Sequence, residues 1–252
     1  MVAERILLVG GKGGTGKTTV VISLALHWAK KGKNVGILDA NLSSPDVPFY
    51  LGLPAQGVEA LSDGVEPLRP VEGFEVLSMG LFLSNPWTPV SWRGPIRHVV
   101  LKQFLQNARW GALDILLIDL PPGISEEHMT LSHLLSGRAF VLLVSDSSRL
   151  SLMEAKRLST FFGHAKITPI GVVLNKERRK RPRHSDPKIL ATLPFDQHLA
   201  RASRREGAPL LGEPAEAFTN ALGFLARRCL KAMQEGPKRP LTLQARLLFK
   251  GG

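Results

Sequence analysis

A glycine-rich loop after the first apolar run of the chain limits what this chain can fold into. The run Ile6–Val9 leads into Gly11-Lys12-Gly13-Gly14-Thr15-Gly16-Lys17-Thr18, which fits the pattern G-x-x-x-x-G-K-[ST]. This motif requires a strand before it and a helix after it, and a helical pattern begins at Lys17. Glycines let the backbone curl so that successive N–H groups face phosphate oxygens, and the positive end of the following helix favours the same anion. The sequence therefore predicts a phosphate site at residues 11–18.

Individual residues of the loop have separate expected roles. Lys17 is expected to reach the β- and γ-phosphates and to act in catalysis, and Thr18 is expected to ligate Mg²⁺. ATP or ADP with Mg²⁺ is therefore the expected ligand. The expected nucleotide-binding residues of the loop are Gly11, Lys12, Gly13, Gly14, Thr15, Gly16, Lys17, Thr18 and Thr19.

Short apolar strands alternate with helical patterns along most of the chain. Runs rich in Ile, Leu and Val with little alternation are typical of a parallel sheet covered on both faces. The sequence predicts an α/β fold with a doubly wound, mostly parallel sheet, and long loops at residues 40–73 and 79–95. The predicted strands are Ile6–Val9, Val35–Leu38, Phe74–Ser78, Ile115–Ile118, Phe140–Val144 and Ile170–Leu174. The predicted helices are Lys17–Lys31, Ile96–Arg109, Glu126–Leu135, Leu150–Phe162 and Pro214–Gln234.

We expect one domain and a short tail. Residues 1–235 are predicted to form the nucleotide-binding domain, and residues 236–252 a basic amphipathic tail after the Gly236-Pro237 break. The tail could dock on its own domain or contact a membrane, and both interpretations stay open. No apolar run near the N-terminus is long enough for a signal peptide, so a cytoplasmic location is expected. The single cysteine, Cys229, excludes an intrachain disulfide.

An acidic residue follows another predicted strand. Ile115–Ile118 leads into Asp119, which is expected to hold Mg²⁺ through water because Mg²⁺ keeps part of its hydration shell. Pro121-Pro122-Gly123 comes next, and its glycine N–H can approach a γ-phosphate closely. We interpret this segment as a switch that distinguishes ATP from ADP, with Gly123 contacting the nucleotide.

Three stretches carry a family resemblance. Lys12 gives the loop a Lys-Gly-Gly opening, and the chain also contains Trp92-Arg93-Gly94-Pro95 and Asp119-Leu120-Pro121-Pro122-Gly123. Over most of residues 4–225 the chain resembles the Mrp/ApbC-type ATPases, iron–sulfur cluster carriers of the MinD/ParA group with a deviant Walker A motif. The resemblance implies ATP hydrolysis and a homodimer on ATP in which Lys12 acts in catalysis by reaching the partner's nucleotide. A solvent-facing Lys12 is the alternative.

The resemblance also implies where the base binds. It places adenine near Asn175 and near the Leu193-Pro194-Phe195-Asp196 turn, so Asn175, Pro194 and Phe195 are expected contacts. An Asn amide both donates and accepts hydrogen bonds, as the edge of adenine does. A turn residue after a strand is the alternative interpretation of Asn175.

The chain departs from the family pattern in two places. Family carriers have a C-x-x-C where this chain has residues 176–184 without cysteine, and a cluster held only by thiolates needs four of them. A dimer offers only two, so a cluster bound by the family cysteines is not expected. The family Asp-x-Asp reads Asp39-Ala40-Asn41 here, and both polar residues are catalytic candidates. Because Asn41 cannot accept a proton, slow hydrolysis is expected, unless Asp39 suffices.

Positive charge is concentrated in the last third of the chain. The net charge is +12, of which residues 176–252 contribute +10. Six cations lie within the eight residues 176–183, and no aromatic residue lies between 176 and 194 to stack on bases. An anionic partner is indicated, with nucleic acid bound through residues 176–184 as one expectation and a solvated basic face as the alternative. An unidentified protein client is the other expected partner.

Overall fold

The structure is a computed structural model that describes residues 2–54, 60–61, 64–85, 91–178, 188–202 and 214–236. Strands and helices alternate along much of this part of the chain, with runs of consecutive strands at residues 60–77 and 168–194. The strands are β1 (Ala3–Gly11), β2 (Val35–Asp39), β3 (Ala60–Leu61), β4 (Gly64–Val65), β5 (Leu68–Val71), β6 (Phe74–Leu77), β7 (Leu113–Asp119), β8 (Phe140–Ser145), β9 (Thr168–Glu177) and β10 (Ile189–Pro194). The helices are α1 (Lys17–Ala29), α2 (Val47–Leu51), α3 (Gly94–Gln106), α4 (Glu126–Leu135), α5 (Arg149–His164), α6 (Gln197–Ala202) and α7 (Glu216–Gln234), with a 3₁₀ turn at Met79–Leu81.

Eight of these strands form one sheet in the order β10-β9-β8-β1-β7-β2-β6-β5. Neighbouring strands are parallel except at the edge, where β5 runs antiparallel to β6. β1 lies between β7 and β8, and Asp39 at the end of β2 pairs in register with Asp119 at the end of β7. The prediction of a doubly wound, mostly parallel sheet is confirmed, and such sheets bind ligands beyond the carboxyl ends of their strands.

Helices cover both faces of the sheet, and each face has its own apolar core. Leu7 and Val9 of β1 face α1 and α7, where Trp28 is buried. Leu8 faces the opposite side, where it shares a core with Phe162 of α5 and with α3 and α4. Successive side chains of a strand point to opposite faces, so burial of both faces explains the continuous apolar runs in the sequence.

Residues 40–73 and 79–95 contain more regular structure than the predicted loops. Helix α2 follows Asp46, has Pro48 in its first turn, and ends at Gly52, whose φ is 64°. β5 reads Leu-Arg-Pro-Val, and an edge strand tolerates Pro70 because its N–H side can face away from the ladder. These elements are short and depend on packing against the sheet, so local sequence patterns did not predict them.

The end of the sheet beyond β9 also differs from the sequence interpretation. The predicted turn at 193–196 is instead the end of β10 followed by two irregular residues. Strand β10 itself was not predicted, because an edge strand of this length gives only a weak apolar signal.

None of the helices in the described ranges combines the length and the apolar character needed to cross a bilayer. The tail predicted at residues 236–252 lies outside the described residues apart from Gly236, so its separation from the domain stays a prediction.

Candidate functional site

The phosphate loop joins β1 to α1 at the carboxyl edge of the sheet. Gly11, Gly14 and Gly16 have φ angles of 152°, 80° and 89°, which favour glycine. A Cβ on Gly11 would overlap the carbonyl oxygen of Val144, because β1 and β8 approach closely there. Gly16 caps α1, so the N–H groups of Lys17–Thr19 begin the helix without intrahelical acceptors. The loop therefore has the geometry of an anion site at a helix N-terminus.

The two lysines of the loop differ in burial. The Lys17 side chain is buried, and its Nζ lies 3.4 Å from the carbonyl oxygen of Lys12. Burial lowers the pKa of Lys17, and the negative charges of Asp119 and Asp46 oppose that shift. Lys12 is exposed. Lys17 is thus held inside the loop, whereas the Lys12 side chain is free to extend beyond the protomer surface.

Thr18 and Asp119 form the candidate metal site. The Thr18 hydroxyl donates to Asp119 Oδ2 at 2.6 Å, and Asp119 Oδ1 is buried without a hydrogen-bond partner in the described residues. Burial raises the pKa of Asp119 to about 7, although the Thr18 hydrogen bond and the Lys17 charge act the other way. An orphaned buried carboxylate oxygen next to a threonine hydroxyl fits the oxygen ligands that Mg²⁺ prefers.

Asp39 and Asn41 follow β2 at the same edge. The Asp39 carboxylate is fully buried and accepts hydrogen bonds from the Ser78 hydroxyl at 2.8 Å and from the Asn41 and Val47 amides. Burial, and then the Asp119 charge, raise the pKa of Asp39 well above its usual value. The Asn41 side chain donates to the Ser44 carbonyl at 2.6 Å and holds the turn after β2. Sequence reasoning missed Ser78, for which a hydroxyl directly after β6 is the only signal.

The predicted switch lies directly over the phosphate loop. Gly123 has a φ of 72°, again a value that favours glycine. A Cβ on Gly13 would lie 3.6 Å from Pro122 Cβ, so the two segments are in contact range. Pro122 therefore lies beside the loop at Gly13, and Gly123 is the next residue along the chain.

A polar network connects the switch to two helices. α4 begins after Ser125, whose hydroxyl donates to Glu127 at 2.6 Å and whose amide donates to His128. Glu127 is 2% exposed and pairs with Arg97 of α3 at 3.2 Å. This network was not predicted from the sequence, although Ser125 and a polar residue three positions later have capping-box spacing.

Asn175 contacts the phosphate loop from the end of β9. Its Nδ2 donates to the Thr15 carbonyl at 2.9 Å, and the side chain is buried. Because the nitrogen is used in this way, the amide orientation is fixed and the oxygen remains an acceptor. The next residue, Lys176, donates to the Gly14 carbonyl at 2.8 Å. The sequence placed Lys176 in the basic segment 176–184 and did not predict its contact with the phosphate loop.

The other two expected adenine contacts lie at the end of β10. Pro194 pairs with Glu177 of β9, and the Phe195 amide donates to the Glu177 carbonyl at 2.9 Å. The Arg178 guanidinium lies over the Phe195 ring, 4.2 Å from its centroid. Both residues are therefore held beside the Asn175 end of the site.

Cys229 lies in α7 and is fully buried. Burial raises the pKa of its thiol to about 12. Within the described ranges no group of three or more His, Cys, Asp or Glu side chains could hold a metal ion. A single inaccessible thiol does not fit a cluster that thiolates must hold.

Most of the basic segment falls outside the described residues. Residues 179–184 of the expected nucleic-acid segment are not described, nor are the tail residues 237–252. Arg227, Arg228 and Lys231 are exposed on α7, so a basic surface exists on the described part of the chain.

The fold and the loop define a P-loop nucleotide-binding protein of the MinD/ParA type. Residues 1–214 match the family model ParA, described as NUBPL iron-transfer P-loop NTPase. The chain belongs to this family, which confirms the resemblance found in the sequence.

Curated relatives agree with this assignment. The chain is 33% identical over 251 residues to mouse "Cytosolic Fe-S cluster assembly factor NUBP2", covering 90% of this chain and 91% of the relative. It is 37% identical over 224 residues to "Iron-sulfur cluster carrier protein" of Saccharolobus solfataricus, covering 87% and 74%.

Solved structures show the same fold. A nucleotide-binding protein from Archaeoglobus fulgidus in complex with ADP has a TM-score of 0.68 and 28% identity, covering 84% of this chain and 90% of that one. The cell division ATPase MinD of Pyrococcus furiosus has a TM-score of 0.65 and 22% identity, covering 90% and 99%. At 22% identity, the similarity to MinD shows a shared fold and nothing more.

Proposed function

We propose that the protein binds and hydrolyses Mg·ATP at the loop between β1 and α1. The Thr18–Asp119 pair carries the proposal. One oxygen of the buried Asp119 carboxylate accepts a hydrogen bond from Thr18, and the other has no hydrogen-bond partner in the described residues. Lys17 supplies a buried cation on the same loop. The Archaeoglobus fulgidus relative, which is complexed with ADP, supports nucleotide binding.

Hydrolysis at such a site depends on positioning and charge. The loop N–H groups and the start of α1 hold the phosphates, and Lys17 takes up charge that develops on their oxygens. Thr18 and Asp119 would hold Mg²⁺, and the ion would neutralise further phosphate charge. The Gly123 N–H contacts the γ-phosphate and so senses whether ATP or ADP is present.

Calorimetry tests this proposal. Wild type should bind Mg·ATP, and Lys17→Ala should lose at least tenfold in affinity because a charge-assisted contact to phosphate is removed. Asp119→Asn should bind ATP with little dependence on Mg²⁺. Lys102→Ala, an exposed lysine on α3, is the matched control. No heat of binding in wild type would contradict the proposal.

We propose that adenine lies against Asn175, Pro194 and Phe195. The fixed Asn175 amide offers an oxygen to the adenine amino group, which guanine lacks at that position. Asn175→Ala should therefore reduce the preference for ATP over GTP, as competition binding would measure.

We propose that hydrolysis is slow. Asn41 stands where the family has an acid, and its amide is committed to the turn through Ser44. Asn41→Asp should raise phosphate release, whereas Asn41→Ala should not, because only the carboxylate can accept a proton or supply charge. Rapid wild-type turnover that Asn41→Asp leaves unchanged would show that Asp39 suffices.

We also propose that ATP drives homodimerisation. The exposed Lys12 side chain is suited to contact a nucleotide bound by the partner. The family resemblance supports the same arrangement, and the dimer is the state in which the protein would engage a client protein.

An iron–sulfur cluster is the cargo named for the relatives, and the described residues do not fit it. We propose that this chain shares the carrier family's ATPase but does not hold a cluster on its own thiolates. After anaerobic purification, wild type and Cys229→Ala should both lack stoichiometric iron and sulfide. Iron present in wild type and lost in Cys229→Ala would contradict this.

The "cytosolic" in the mouse relative's name supports a cytoplasmic location.

The charge asymmetry favours an alternative, a ParA/MinD-like switch whose ATP state binds DNA, a membrane or a partner protein. Residues 176–252 carry a net charge of +10, and a dimer would contain two such segments. Their affinity for a nucleic-acid phosphate backbone would fall steeply as the salt concentration rises. Gel shifts with and without ATP, at low and moderate salt, test DNA binding. Vesicle co-sedimentation of the full chain and residues 1–237 tests the tail. An absence of ATP-dependent binding in both assays would remove this alternative.

A further inference from the structure

Strand β9 makes two contacts with the phosphate loop from one end. Asn175 donates to the Thr15 carbonyl at 2.9 Å, and Lys176 donates to the Gly14 carbonyl at 2.8 Å. Successive side chains of a regular strand point to opposite faces, so two adjacent residues do not normally reach the same loop.

A β-bulge explains how they do. Thr192 of β10 pairs with Leu174, and Pro194 pairs with Glu177, so β9 has one extra residue between these pairs. Lys176 has a φ of 62°, a left-handed conformation that costs a lysine about 1 kcal/mol or more. A bulge with a backbone outlier beside a ligand site is a recurring way to redirect a side chain.

The two contacts fix the orientation of two peptide groups. A trans peptide places its C=O and N–H on opposite sides, so a carbonyl held outward turns the next N–H inward. Lys176 holds the Gly14 carbonyl and so orients the Thr15 N–H, while Asn175 holds the Thr15 carbonyl and orients the Gly16 N–H. The Thr15 amide donates to the Lys12 carbonyl, with its nitrogen 3.4 Å from the oxygen, and Lys17 Nζ approaches the same carbonyl. The oriented peptide therefore faces the side of the loop where Lys17 lies.

We infer that Lys176 is a positioning residue of the nucleotide site, which fixes the Gly14–Thr15 peptide of the phosphate loop by holding the Gly14 carbonyl. It contacts the loop from outside and acts on the phosphates only through the backbone. Its effect is therefore independent of the base. The inference rests on the proposed binding of nucleotide at this loop.

The test compares ligands that share phosphates but differ in the base. Lys176→Met keeps the length of the side chain and removes the charged donor, so affinity for ATP, ADP and inorganic triphosphate should fall by the same factor, about tenfold. Lys176→Arg should restore most of the affinity. Lys102→Met has the same change in charge on exposed α3 and should bind like wild type. Melting temperatures of all variants check that the fold is kept.

The outcomes separate the inference from the proposed function. Wild-type affinity in Lys176→Met would overturn the inference alone, and so would a loss confined to ATP and ADP, which would place the lysine on the base. A wild-type chain that binds none of the three ligands would overturn the proposed function and the inference with it.

Discussion

His128 is a buried imidazole whose protonation the fold opposes. It is fully buried, its Nδ1 accepts from the Ser125 amide at 3.3 Å, and its ring lies against Phe161 and Phe162. Burial lowers its pKa to about 4, and nearby Glu127 and Lys17 act in opposite directions on it. Because an unfolded histidine has a pKa near 6.5, the unfolded chain binds more protons between these two values.

The His128 contribution to the free energy of unfolding should therefore fall by on the order of 3 kcal/mol as the pH is lowered from about 6.5 to 4. His128→Gln keeps a side chain that can accept a hydrogen bond from the Ser125 amide but does not titrate. The free energy of unfolding of this variant should therefore lack the pH dependence that His128 contributes. Urea unfolding of both proteins at pH 7, 5.5 and 4.5 measures the difference. The raised pKa of Asp119 acts with the opposite sign but equally in both proteins. Parallel pH profiles would contradict the prediction.

At the scale of secondary-structure elements, sequence reasoning works where the pattern is local. β1, the loop and α1 follow from an apolar run and a glycine motif, and α4 has the predicted bounds. β5 and β10 depend on pairing with strands already in place, so no local pattern predicts them. The same holds for Lys176, because its role requires a bulge that only the pairing of β9 with β10 reveals.

The close approach of β1 to β8 at Gly11 predicts how a substitution there affects stability and nucleotide binding. Gly11 and Gly14 both have positive φ, but a Cβ would overlap the Val144 carbonyl only at Gly11, whereas the position of Gly14 is open. Gly11→Ala should destabilise the fold by about 3 kcal/mol and abolish nucleotide binding, because the strands must separate. Gly14→Ala is the matched control and should cost about 1 kcal/mol through backbone strain alone.

Thermal unfolding and calorimetry with Mg·ATP measure the two effects in both variants. Equal destabilisation of Gly11→Ala and Gly14→Ala would show that the contact between β1 and β8 does not constrain the loop. A stable Gly11→Ala chain that binds nucleotide normally would contradict the prediction as well.

For the whole molecule, the proposed homodimer draws attention to the exposed residues at the carboxyl edge of the sheet. Lys12 is exposed there, Ile124 follows the switch and is 50% exposed, and Leu150 in the first turn of α5 is 60% exposed. These exposed side chains are the candidates for the interface of the proposed ATP-dependent dimer.

Sedimentation velocity should show a monomer without nucleotide and a dimer with Mg·ATP. Lys12→Ala should remain monomeric while it still binds Mg·ATP, because in the proposed dimer the Lys12 ammonium contacts the partner's nucleotide and Lys17 contacts its own. Lys17→Ala should also remain monomeric, but for lack of binding, and Lys102→Ala should dimerise like wild type. A dimer that forms without nucleotide, or one that Lys12→Ala leaves intact, would show that Lys12 does not link nucleotide state to association.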